Sequence, residues 1–127
     1  MRLMSRLEFV VLPLVLFLAA PAKAQEVEVG TNLVCDTREQ VERFVAVYEG
    51  DAEAAISAVN AAEHNPAACG IATAAFVRGP RLGTARNKDT AFDIIQLVVL
   101  GVVTEAGVES TTPAAFFSLV PIDEIPA

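Results

Sequence analysis

Two cysteines, Cys35 and Cys69, bracket the clearest helical pattern of the chain, and a bond between them would constrain the fold more than any other feature. Whether they pair depends on where the protein resides. The first residues read MRLMSRLEFVVLPLVLFLAAPAKAQ, which is the layout of a secretory leader. Arg2 and Arg6 form a short basic region, Phe9 to Ala20 an apolar run, and Ala22-Lys23-Ala24 a small-x-small cleavage site. The apolar run contains Pro13 and falls short of the roughly 20 residues that a spanning helix needs. Residues 1–24 are therefore read as a signal peptide, and residues 25–127 as a single mature domain, periplasmic or extracellular. In such a compartment two cysteines read as a disulfide rather than as two buried free thiols. Closing a loop of this length is worth roughly 3–4 kcal/mol. That is a large share of the about 5–15 kcal/mol that holds a domain together.

Removing the leader takes three basic residues and one acidic residue with it. Six basic and fifteen acidic side chains remain, a net charge of −9 against −7 for the whole chain. A strongly acidic domain repels nucleic acid and anionic membranes, so neither is an expected partner. No apolar segment after the leader is long enough to span a membrane.

Between the cysteines, Thr37 and Gln40 stand at the spacing of a capping box, and Asp36 and Glu39 add negative charge at the same helix start. Val41, Phe44, Val45 and Tyr48 repeat at i, i+3, i+4 and i+7, one buried helical face. Gly50 suits a left-handed residue after a helix. Asp51 caps a second helix with a weaker stripe of Ala55, Ile56, Val59 and Ala62, ended by Asn65-Pro66. The pattern predicts a helical hairpin over about 37–49 and 52–63, clasped at its base by the disulfide. Before it, Val27-Glu28-Val29 and Leu33-Val34 suit a short strand, with Glu26 and Glu28 toward water.

After Cys69 the composition turns to strand formers. Gly70 to Arg78 is expected as a strand anchored by Phe76. Ala91 to Thr104 is rich in β-branched residues and apolar on both faces from Leu97 on, as a central strand is. Gly101 suits a bulge or bend there. Glu105-Ala106-Gly107 reads as a turn, and Pro113 to Pro121 as the last strand, with Phe116, Phe117, Leu119 and Val120 offering apolar groups to both faces. The expected class is α+β: an N-terminal helical hairpin packed on an antiparallel β-meander of three to four strands, with one disulfide. The alternative is a strongly curled sheet closing toward a small barrel.

The runs LVCDTREQVERFV, NPAACG and DTAFDIIQLVVLGVVTEAG together resemble small exported bacterial proteins of uncharacterised function. The resemblance spans nearly all of the mature chain. It implies a leader and a two-cysteine domain, and brings no activity, cofactor or catalytic residue with it.

Chemistry is sparse. One histidine and two cysteines are too few for a structural zinc site, the spaced oxygens of a calcium loop are missing, and no cofactor or metal is expected. His64 lies at the end of the second helix and reads as a helix cap. A Cys69–His64 nucleophile pair is removed by the disulfide, and neither a Gly-x-Ser-x-Gly elbow nor a Cys-x-x-Cys motif occurs. No catalytic residue is assigned. Asp93 stands inside a predicted strand, expected toward water, with Arg78 a possible partner if it is buried.

The stretch RGPRLGTARNK, residues 78–88, is the anomaly. Arg78, Arg81, Arg86 and Lys88 are four of the six basic residues after the leader, whereas Asp36 to Glu63 carries seven acids against Arg38 and Arg43. The four are candidate partner-binding residues, since arginine suits a carboxylate or phosphate on a partner. The plainer reading is a short edge strand kept soluble by charge and lying near the acidic helices. The function expected is a small exported binding domain without catalysis, its partner an unknown protein or a small anionic ligand. The alternative is an inhibitor of a secreted hydrolase.

Overall fold

In the computed structural model, residues 26–122 are described, and they begin with a strand. The expected leader and its cleavage site lie outside these residues. The elements run β1 (Val27–Cys35), α1 (Arg38–Val47), α2 (Ala52–Glu63), β2 (Cys69–Arg86), β3 (Ala91–Thr104) and β4 (Gly107–Pro121). The class is mixed α and β, with an antiparallel four-stranded sheet and one disulfide, as expected. The helical hairpin, however, is not N-terminal. It is inserted between β1 and β2, which pair residue for residue from Val27 opposite Val77 to Cys35 opposite Cys69. The short strand expected before Cys35 is present and runs unbroken over Val27–Cys35, because alternation through Val27, Val29, Thr31 and Leu33 meets a partner of matching length in β2.

The helix starts and stops are set locally. Thr37 Oγ1 accepts from Gln40 N at 3.2 Å and Gln40 Oε1 accepts from Thr37 N at 3.0 Å, the reciprocal capping box. Asp51 Oδ1 accepts from Ala54 N at 3.1 Å and starts α2. His64 ends α2 as a left-handed cap, φ 55°. Val41, Phe44 and Val45 of α1 are buried, with Tyr48 packed beside them. In α2, Ala55 and Val59 are buried and Ile56 partly so, while Ala62 faces solvent. Gln40, itself buried, donates to Glu63 Oε1 at 3.1 Å and ties the two helices together.

β2 runs on through Arg86, well past the expected end at Arg78. Its register against β3 shifts between Arg78 and Arg81 and again before Gly83, so Pro80 sits where no ladder amide is required. β3 spans Ala91–Thr104 as expected and lies between β2 and β4. β4 starts at Gly107 rather than Pro113, and a shift between Val99 and Gly101 absorbs the proline. The strands close in the order β1-β2-β3-β4, which realises the small-barrel alternative, but β1 and β4 align only at Cys35 opposite Phe117.

Two apolar clusters result. On the helix side, Cys35, Cys69 and Ile94 pack under Val41, Phe44, Val45, Ala55 and Val59. On the opposite face Ala74, Phe76, Ile95, Leu97 and Val99 pack together with Phe116 and Val120. Each large side chain fully buried here contributes about 1.5–3 kcal/mol. The buried Ser118 lies between strands and donates its hydroxyl to the main-chain carbonyl of Leu33.

Candidate functional site

The basic stretch is part of a strand, and the sheet divides its charges. Arg78 donates from Nε and Nη2 to the two carboxylate oxygens of Glu28 on the neighbouring strand, at 3.2 and 3.1 Å. Its guanidinium also lies 5.9 Å from the centre of the Phe76 ring. The hydrogen bonds from Arg78 hold the Glu28 carboxyl below its ordinary pKa, and Glu28 in turn raises that of Arg78. Arg81 donates from Nε to Asp93 at 2.7 Å and from Nη2 to Thr84 at 2.8 Å. Asp93 therefore pairs with Arg81, not with Arg78. The bulge at Gly79-Pro80 moves Arg81 beside Asp93 and leaves Arg78 facing β1.

Arg86 ends β2 and Lys88 lies in the β2–β3 turn, and among the described residues neither has a salt bridge. They line an open cleft with Asp89, Phe92, Pro121 and Ile122. Between them, Asn87 works as a structural residue. Its amide donates to the carbonyls of Val45 and Tyr48 at 2.8 and 3.0 Å, and its oxygen accepts from the N–H groups of Asp89 and Thr90 at 2.8 and 2.9 Å. The turn thus seals the end of α1, whose last carbonyls lack helical partners. The basic stretch does lie near the helices, as charge balance predicts, but hydrogen bonds of Asn87 join them. The cations that pair do so with Glu28 and Asp93 of the sheet.

Cys35 and Cys69 form a disulfide, so neither is a free nucleophile. His64 rims a shallow groove with Asn60 and Pro66 and serves as the helix cap. Among the described residues no group of three or more His, Cys, Asp or Glu side chains is placed to hold a metal ion.

The feature that sequence reasoning missed is the open end of the barrel. The N–H and C=O of successive strand residues point alternately to the two sides within the sheet. The Leu33 carbonyl meets Ser118 of β4, and Cys35 aligns with Phe117, so the odd-numbered residues of β1 address the β4 side. Among the described residues, none is aligned with those groups at Thr31, Val29 and Val27. The side chains there are bare as well: Val27 and Val29 are each 60% exposed, and Ile71 opposite Leu33 is 52% exposed. At the far tip of the β3–β4 hairpin, Val103 and Val108 face each other and are also exposed. The signal available in the sequence was the alternation of glutamate and valine over residues 26–29, which marks a strand but not which of its edges stays open.

Comparison with known protein families, with curated proteins and with solved structures finds no match for this chain.

Proposed function

We propose that this is a small exported binding domain that works without catalysis and engages a partner protein through the open edge of β1. The observation that carries this reading is the coincidence, at Val27 and Val29, of a strand edge that no described strand covers with exposed apolar side chains. Isolated exposed valines are ordinary, whereas a bare edge beside them is a template for a further strand. A disulfide, and the absence of a long apolar helix among the described residues, are compatible with export. The resemblance to small exported bacterial proteins points the same way. Arg86 and Lys88 form a second contact region, suited to a carboxylate or phosphate on the partner or to a small anionic ligand.

The test is cross-linking capture from an envelope fraction. Three baits are compared: the unaltered protein, a Val27→Ser/Val29→Ser variant, and an Arg86→Gln/Lys88→Gln variant. Loss of a captured protein with the valine variant supports the edge as the docking site. Equal capture by all three removes both regions from the function.

One observation favours the second reading, an inhibitor of a secreted hydrolase. Gly107 to Ala115 of β4 are exposed along their whole length, so the β3–β4 hairpin stands out as a ribbon able to enter a cleft. Its acidic surroundings suit a basic enzyme such as a muramidase, and slowed turnover of such an enzyme by the purified protein is the check.

A further inference from the structure

We propose that the β3–β4 hairpin enters a cleft on a partner protein, with the Glu105 carboxylate set against a cation at the cleft floor. This rests on the reading of a binding domain, and it gives the hairpin an occupant that is argued separately from the β1 edge.

The hairpin leaves the rest of the sheet. Its last aligned residue in β2 is Ala74, opposite Val102, and its first in β1 is Cys35, opposite Phe117. Among the described residues, Val103 to Phe116 are aligned only within the hairpin. The chain after Ile122 departs from the other end of β3, where Ile122 N donates to the Ala91 carbonyl at 3.2 Å. Thirteen residues of strand, roughly 40 Å, lie between that point and Thr104.

A two-stranded ribbon is marginal in water by itself. This one is fixed at its turn. The Thr104 hydroxyl accepts from Ala106 N at 3.1 Å, and the Gly107 carbonyl and the Glu109 carboxylate, each at 3.2 Å, are the acceptors for its proton. Gly107 takes the left-handed conformation that the turn requires, φ 114°. A tip already held in one shape loses little conformational freedom on binding.

The side chains favour a cleft over a flat partner. Successive residues of a strand point to opposite faces. Val102 therefore lies on one face of the ribbon, and Val103 and Val108, opposite each other, lie on the other. They are 39%, 37% and 56% exposed. A flat surface covers one face and leaves the other in water, whereas the two walls of a cleft cover both. Addition of a partner strand along β4 is the competing mode. It is disfavoured because the ladder is broken between Ser110 and Ala114 and Pro113 brings no donor.

Charge sets the chemistry at the cleft floor. No basic residue follows Lys88 in the sequence, and the hairpin carries Glu105 in its turn and Glu109 beside it. Both are exposed, and among the described residues neither has a salt bridge. Glu109 has the Thr104 hydroxyl as a partner, which leaves the Glu105 carboxylate as the charge at the tip for a lysine or arginine.

The test places the photoreactive residue p-benzoylphenylalanine at Val102, Val103, Val108 or Val27, one position at a time. The full protein is used as the producing cell processes it, and the cross-linked peptides are mapped. Val102 on one face and Val103 and Val108 on the other should label the same protein, on opposite walls of one concave site that holds a lysine or arginine. Glu105→Gln should raise the concentration needed for half-maximal labelling at least about tenfold, as truncating one member of a desolvated charge pair does. Glu105→Lys should abolish labelling from the hairpin, with an unchanged circular dichroism spectrum and melting curve showing that the fold is kept. Labelling from only one face of the ribbon overturns the inference, as does labelling indifferent to both Glu105 variants or none from the hairpin at all. Labelling from Val27 alone overturns the hairpin's role and leaves the β1 edge as the docking site. Labelling from the hairpin alone keeps the inference and removes the β1 edge from the proposed function.

Discussion

The side-chain amide of Asn60 closes a reciprocal pair with the main chain of Cys69, accepting from its N–H at 2.9 Å and donating to its C=O at 3.1 Å. Asn60 thereby stands in for a strand neighbour at the first residue of β2, where no strand continues. The same amide donates to the Pro66 carbonyl at 2.9 Å, so one side chain of α2 shapes the whole connection into the sheet.

Replacing Asn60 with alanine leaves the Cys69 amide and carbonyl without partners next to a buried residue. Unsatisfied buried groups cost about 1–3 kcal/mol each. Asn60→Ala is expected to lower stability by about 2–4 kcal/mol, which for a domain of this size is a melting point lower by roughly 10–25 °C. Calorimetry on the variant decides, and a shift of only a degree or two would show that water replaces the amide at no cost.

The disulfide that Asn60 buttresses is itself inaccessible: Cys35 is 0% and Cys69 4% exposed. Dithiothreitol should therefore reduce it slowly in native buffer and quickly once denaturant opens the fold. The Cys35→Ala/Cys69→Ala protein is expected to lose about 3–4 kcal/mol, the loop-closure contribution for a separation of 34 residues. Thiol titration against time with and without urea, together with melting curves, tests both halves. A melting curve unchanged in the alanine variant would count against the bridge as a stabilising element.

The features legible in the sequence are the local ones. Thr37 with Gln40, Asp51 before α2 and His64 at its end are set by spacings of a few residues, and the structure has each of them in that role. The bounds of β3 were equally readable, because fourteen residues of apolar, β-branched sequence have few other uses. What was not legible depends on pairing across the chain. The extension of β2 past Arg78 exists because β3 supplies a partner for it, and neither composition nor periodicity of RGPRLGTAR carries that information. The partner of Asp93 follows from a bulge two residues long. The edge at Val27 and Val29, which no described strand covers, is the least local of all, since it depends on where every other strand has found its place.

Acid should loosen the link between β1 and β2 only below the ordinary glutamate range. The carboxyl of Glu28 titrates below its ordinary value because Arg78 hydrogen-bonds its charged form. A group whose folded pKa is depressed contributes stability that is present above its unfolded pKa and is lost as pH falls through the folded one. The contribution is thus complete at neutral pH and fades below the ordinary glutamate range. That of Arg78, with its pKa raised, is present at every pH below the arginine range. In an NMR titration the Glu28 carboxyl should move up toward the usual glutamate value in Arg78→Gln. An identical titration curve in the two proteins would mean that the ion pair does not persist in solution.

Two glycines of the basic stretch should lose different amounts of stability on replacement by alanine. A Cβ at Gly79 would stand 2.8 Å from the main-chain oxygen of Gln96, on the central strand β3. Neither backbone can move without disturbing the ladder on both sides, so Gly79→Ala is expected to cost about 1–3 kcal/mol. A Cβ at Gly83 would come as close, 2.7 Å, but to Nη2 of Arg38, the far end of a flexible and half-exposed side chain. Arg38 can swing aside at the cost of its pairing with Glu42, an i,i+4 ion pair worth about 0.3–0.5 kcal/mol. Urea unfolding of the two variants side by side should separate them by roughly 0.5–2.5 kcal/mol. Equal losses would mean that Arg38 is held over β2 more firmly than its exposure implies, and would make that contact a structural joint between α1 and the sheet.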